Sequence, residues 1–192
     1  MKKKEEEALL LLLAQAVDAR EGIDPRSGAR LQDHALRFAE ALGLAKEAKA
    51  ALALGALLHD IGKIAISNEV LLKKSVLDYD DWMTLQSHPT LGAELLEERG
   101  LYTEAVDIVR YHHECFDGTG YPNKIEGDEI PLLARVVKLL DVYCSMTSPR
   151  HYRTGHASHV EAVEYLQSER GKHYDPALVD AFIEHKIGRE LI

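Results

Sequence analysis

The run Lys46-Glu47-Ala48-Lys49-Ala50-Ala51-Leu52-Ala53-Leu54-Gly55-Ala56-Leu57-Leu58 leads straight into His59-Asp60-Ile61-Gly62-Lys63. Alanine and leucine are strong helix formers, so the run predicts a helix from about Lys46 to Asp60 that stops at Gly62. His59 and Asp60 then lie at a helix end. An imidazole and a carboxylate on adjacent residues can bind one metal together, leaving the second carboxylate oxygen free to bridge to another. A second adjacent pair, His112-His113, closes another predicted helix that begins near Thr103. The loop Asp117-Gly118-Thr119-Gly120-Tyr121-Pro122 follows at once.

Working outward, the other segments also carry helical signals. Asp24-Pro25 and Asp175-Pro176 pair an N-cap residue with a first-turn proline. Leu31, Ala35, Phe38 and Leu42 recur on one face before Gly43, and His34 sits beside that stripe. Asp78 to Ser87 and Pro89 to Arg99 read as two helices, or one kinked helix, with His88 at the joint. Pro131 to Met146 is a very apolar helix carrying Asp141, and Ser158-His159-Val160-Glu161 opens a further one as a capping box. No segment alternates convincingly at period two. An all-α, single-domain helical bundle is expected, with 1–22 as an N-terminal helix or linker stub and 23–192 as the functional domain.

Composition bounds the function. The chain has 192 residues and 46% hydrophobic residues, enough for one buried core but not for two comfortable domains. The net charge of −9 disfavours a broad DNA- or RNA-binding face. Cys115 and Cys144 form neither a disulfide framework nor a zinc motif, which fits a reducing cytoplasm. Lys2 to Lys4 precede the leucine run Leu9 to Leu13, but Glu5, Glu6 and Glu7 intervene. That pattern reads as a cytoplasmic helix. It is too short to span a membrane, and it is suited to connect to a sensor domain.

His34, His59, Asp60, His88, His112, His113 and Asp141 form the candidate metal set. Each lies at a helix end, at a kink or on a strongly apolar helix. The imidazoles outnumber what a structural zinc takes and suit two transition metals sharing a carboxylate. Such a site generates hydroxide near neutral pH and polarises a phosphate oxygen.

These stretches, with His88-Pro89, Gly92, His112-His113-Glu114, Ile130-Pro131-Leu132, Asp141-Val142-Tyr143 and Ser148-Pro149-Arg150-His151-Tyr152-Arg153, resemble the HD-GYP branch of the HD phosphohydrolases. The resemblance runs from about Asp24 to Gly188. It implies a helical bundle that hydrolyses cyclic di-GMP with two divalent metals, iron or manganese first, zinc or nickel next. By that likeness His34, His59, Asp60 and Asp141 hold one metal. His88, His112 and His113 hold the other, with Asp60 bridging. Lys63 contacts a phosphate, Tyr121 lines the substrate, and Arg150 and Arg153 bind its phosphate or guanine. A sensor domain, a signalling protein or a second copy of the chain fits as partner.

The chain departs from the family pattern in three places. Arg30 stands one helical turn before His34, where some members carry an acidic ligand to a third metal. Two metals are therefore expected, with the Arg30 guanidinium turned to phosphate. Cys144 replaces an aspartate three residues after Asp141, and Cys115 replaces a commonly basic residue. These departures leave two other readings open. One is an effector module that binds cyclic di-GMP or its linear product pGpG with little turnover. The other is a phosphohydrolase for another nucleotide.

Overall fold

The computed structural model describes residues 3–98, 103–148 and 155–189. The helices are α1 (Lys3–Arg20), α2 (Ser27–Ala41), α3 (Lys46–Leu58), α4 (Asn68–Leu71), α5 (Tyr79–Leu85), α6 (His88–Glu98), α7 (Thr103–Tyr111), α8 (Leu132–Thr147), α9 (His159–Ser168) and α10 (Pro176–Glu184). Tight 3-10 turns occupy Ile61–Ala65 and Gly127–Glu129. No strand forms among the described residues, only an isolated bridge between Arg170 and Tyr174. The protein is all-α. Among the described residues, no helix is long and apolar enough to cross a membrane.

Local signals set the boundaries. Ser158 and Glu161 form the expected reciprocal cap on α9, and Asp175 accepts from the Ala177 amide to start α10. Asp24 acts earlier than expected. Its carboxylate accepts from the Arg26 amide at 3.0 Å, closing a turn, and α2 begins only at Ser27. After α2, Gly43 (φ +64°) lets the chain reverse into α3.

Among the described residues the buried apolar side chains form two clusters. One joins α2, α3 and α8 to α9 and α10 through Phe38, Leu52, Leu139, Leu140, Leu166 and Phe182. The other joins α1 to the end of α3, to α6 and to α7 through Leu10, Val17, Leu58, Ile61, Ala93 and Val109. Burying each such leucine or phenylalanine contributes about 1.5–3 kcal/mol. The expected boundary between 22 and 23 is therefore no break in packing. Val17 is 4% exposed and α1 is part of the core.

The 3-10 turn after α3 lies against α6 at backbone distance. A Cβ on Gly62 would sit 1.9 Å from the His88 carbonyl oxygen and 2.5 Å from the Gly92 nitrogen. Only glycine permits that crossing, which brings Asp60 and His88 side by side.

Candidate metal centre

Four elements deliver the site. His59 caps the C-terminus of α3 and Asp60 follows it. His88 opens α6, and His112 and His113 follow the last turn of α7. Asp141 projects from α8. The carbonyl ends of α3 and α7 thus face the same place, which favours positive charge there.

Ligand atoms of Asp60, His88, His112 and His113 lie within 4.8 Å of one another. Asp60 faces two ways. Its Oδ1 is 3.2 Å from His88 Nε2 and 4.0 Å from His112 Nε2. Its Oδ2 is 3.2 Å from His59 Nε2, which in turn lies 3.8 Å from Asp141 Oδ1. The structure therefore assembles six of the seven candidates around one carboxylate.

The imidazoles are oriented from behind. Nδ1 of His59, His88 and His112 donates to the carbonyl three residues earlier, Ala56 at 2.9 Å, Leu85 at 2.7 Å and Val109 at 2.8 Å. That arrangement fixes each Nε2 toward the centre. Nε2 of His88 and of His112 is fully buried with no hydrogen bond of acceptable geometry. Such an orphaned nitrogen is costly unless something else takes its lone pair. The donor set, imidazole nitrogens around a carboxylate, fits a divalent transition metal.

Electrostatics divide the set. Burial and the neighbouring imidazoles of His59 and His88 hold His112 well below the ordinary histidine range. Burial and the rings of His112 and His88 do the same for His113. Both imidazoles are neutral. Burial alone would lower His59, but the charges of Asp60 and Asp141 overcome it and raise it to about 9. Burial would raise Asp60, but Lys63 and His59 hold its carboxyl well below the usual range.

Lys63 Nζ donates to Asp60 Oδ2 at 2.8 Å and stays charged. Tyr121 stacks on His113 at 4.7 Å and 20°, which sets the plane of that ring. A pocket of about 220 Å³ opens on His59, Asp60, Lys63, His113 and Asp141, with Asp18 and Gly28 on its far wall.

His34 is the candidate that the structure does not bring in. The pocket meets only the start of α2, at Ser27, Gly28 and Leu31. At 1.5 Å rise per residue, His34 lies about 9 Å further along the axis than Gly28. Its ring stands edge-on to Tyr143 at 5.7 Å. His34 thus lines neither the pocket nor the cluster of ligand atoms, and the geometry groups His59 with Asp60 and Asp141.

Arg30 is one turn nearer the pocket. It donates to Ser148 Oγ and pairs with Asp24 at 3.7 Å. Burial and Asp141 push the Cys144 thiol up to about 12, so it is an inert buried group. Cys115 is also buried. Arg150 and Arg153 lie outside the described residues.

A family model described as HD domain matches residues 12–178. The chain belongs to the HD domain family. This HD domain is 36% identical over 182 residues to 3'3'-cGAMP-specific phosphodiesterase 2 of Vibrio cholerae, covering 92% of the chain and 34% of that protein. It is 37% identical over 190 residues to the cyclic di-GMP phosphodiesterase response regulator RpfG of Xanthomonas campestris, covering 97% of the chain and 50% of that protein. The chain thus spans a third to a half of these relatives. Among solved structures, a cyclic GMP-AMP-specific phosphodiesterase of V. cholerae matches with a TM-score of 0.71 at 21% identity, covering 92% of this chain and 47% of that one. That likeness supports the fold.

Sequence reasoning missed three carboxylates of this HD domain. Glu114, 1% exposed, accepts from the amides of Asn123 at 2.7 Å and Lys124 at 3.1 Å, bracing the Tyr121 loop. Asp18 holds the Gly28 amide at 3.2 Å, and burial raises its carboxyl to about 6. Glu21 pairs with Lys63. Glu114 adjoins the His112-His113 pair, and that adjacency was the available signal. Asp18 and Glu21 sit in the segment set aside as a stub.

Proposed function

We propose that this chain is a metal-dependent phosphodiesterase that hydrolyses cyclic di-GMP to pGpG and onward to GMP. The observation that carries the reading is the two-faced Asp60, with His88 on one oxygen and His59 on the other. His88, His112, His113 and Asp60 would hold one divalent cation, and His59, Asp60 and Asp141 the other. Iron or manganese suits this donor set first, zinc or nickel next. Bound there, the cations supply Lewis acidity to a phosphoryl oxygen and lower the pKa of water.

The chain's own residues do the rest. Asp60 orients the groups on its two sides. Lys63 places a permanent positive charge beside a phosphoryl oxygen. Burial, then Asp60, raises the Tyr121 phenol above its ordinary range, so it remains a donor at the rim. The pocket, about 220 Å³, is smaller than the roughly 300–1,000 Å³ that encloses a whole ligand. It suits the scissile phosphate, with the bases resting outside over the Tyr121 loop; Arg30, and by the family resemblance Arg150 and Arg153, would supply guanidinium groups to the ligand. Arginine recognises phosphate or a guanine edge through its planar fork. This reading places the protein in the cytoplasm, with a sensor domain, a signalling protein or a second copy acting through α1.

A second reading is an effector that binds the dinucleotide and turns it over slowly. It is favoured by the missing fourth ligand on the His59 side and by the neutral Cys144. The test is incubation of manganese-loaded protein with cyclic di-GMP and, separately, 3'3'-cGAMP, with products followed by chromatography. Turnover faster on cyclic di-GMP is expected. Binding without turnover selects the effector, and neither binding nor turnover overturns both.

A further inference from the structure

The end of α1 grips the site with two consecutive side chains. Arg20 donates to the Lys63 carbonyl at 2.8 Å, to the Ile66 carbonyl and to Asn68 Oδ1 at 2.8 Å. Glu21 sets Oε1 3.1 Å and Oε2 3.2 Å from Lys63 Nζ. Lys63 is thus held at its backbone by one residue and at its ammonium by the next. On the other side the same ammonium donates to Asp60 Oδ2 at 2.8 Å. The side chains of Lys63, Glu21 and Asp60 are only 14%, 16% and 20% exposed.

Asp60 Oδ2 is the oxygen that faces His59 and Asp141. A cation there competes with the Lys63 ammonium for the same lone pairs. A displaced ammonium in this withdrawn position needs another counter-charge, because an unpaired buried charge is heavily penalised. Glu21 already accepts from it through Oε2, and its Oε1, 3.1 Å away, is buried with no hydrogen bond of its own.

We propose that Glu21 is a positioning residue that takes over the Lys63 ammonium when a divalent cation claims Asp60 Oδ2, and so sets the affinity of the His59–Asp141 side. This rests on the metal reading of Asp60. Without Glu21, the ammonium stays on Asp60 and the cation must break that pair. Contact matters, so charge alone at position 21 does not suffice.

The test is calorimetric titration of the full chain with Mn²⁺ alone at neutral pH. The comparison is between wild type, Glu21→Gln, Glu21→Asp and Asp18→Asn, each checked for an unchanged helical spectrum. Asp18 is a second acid in the field of Asp60 and makes a useful control. Loss of a metal ligand's supporting partner typically weakens affinity about 10–100-fold. About tenfold weaker binding is expected in both Glu21 variants, with a much smaller change in Asp18→Asn. Wild-type affinity in Glu21→Asp, or equal losses in Glu21→Gln and Asp18→Asn, would reduce Glu21 to a general field effect and overturn the proposal. No Mn²⁺ uptake by wild type overturns the metal reading itself.

Discussion

The two sides of Asp60 are built differently. On the Oδ1 side stand His88, His112 and His113, packed ring against ring with centroids 4.1–5.5 Å apart, and burial keeps His112 and His113 neutral. On the Oδ2 side stand His59 and Asp141, a lysine already occupying the oxygen, an inert thiol at Cys144 and a guanidinium at Arg30. The first side is organised around nitrogen lone pairs, the second around compensated charge. Metal affinity should therefore be unequal, tight on the Oδ1 side and weaker on the Oδ2 side.

The most severe test removes the carboxylate both sides share. Asp60→Ala is expected to take metal content from about two ions per chain to none and to abolish hydrolysis, because both sides lose the one carboxylate they share and the Oδ2 side is left with only His59 and Asp141. Elemental analysis after dialysis measures it, and an ion retained in full shows that the sides do not meet at Asp60. A subtler change acts on the weaker side only. Arg30→Glu swaps a cation for an anion and is expected to tighten the second binding event in a Mn²⁺ titration about tenfold, a shift of about 1.4 kcal/mol, leaving the first unchanged. Identical titrations would show that Arg30 lies beyond effective range.

The smallest expected effect concerns Asp18, on the same weaker side. Burial raises its carboxyl from the ordinary 3.8 to about 6. The folded chain then binds that proton more tightly than the unfolded chain does. Stability is lost as pH rises from about 4 to about 6, and the deficit persists above that range. In chelator-treated protein, Asp18→Asn should melt higher than wild type above pH 6 and like it below pH 4. A constant difference across that range would assign the effect to the Gly28 hydrogen bond.

Much of this was legible in the chain. The apolar runs and the caps at Ser158 and Asp175 specified helices because those signals are local, and the structure reproduces them. The doublets His59-Asp60 and His112-His113 stood out because adjacency at helix ends needs no tertiary knowledge. How far along α2 the pocket reaches is a tertiary fact that the helix pattern does not carry: the stripe Leu31, Ala35 and Phe38 is buried as the periodicity indicates, while the pocket meets the helix at Ser27, Gly28 and Leu31 and His34 does not line it. Asp18, Arg20 and Glu21 were hidden for another reason. An acidic and basic stretch after a leucine run looks like a solvated helix end, and only the position of the 3-10 turn reveals that Arg20 and Glu21 have partners in Lys63.

The crossing of Gly62 over His88 and Gly92 has a last consequence. There the spacing between two donor-bearing segments is set by main-chain thickness, not by how core side chains fill space. Leucines and alanines elsewhere in the bundle can be exchanged, and the bundle can breathe, while this gauge stays the same. The centre is thereby insulated from ordinary drift in the hydrophobic interior, and its one brittle point is a hydrogen atom where any other residue would put carbon.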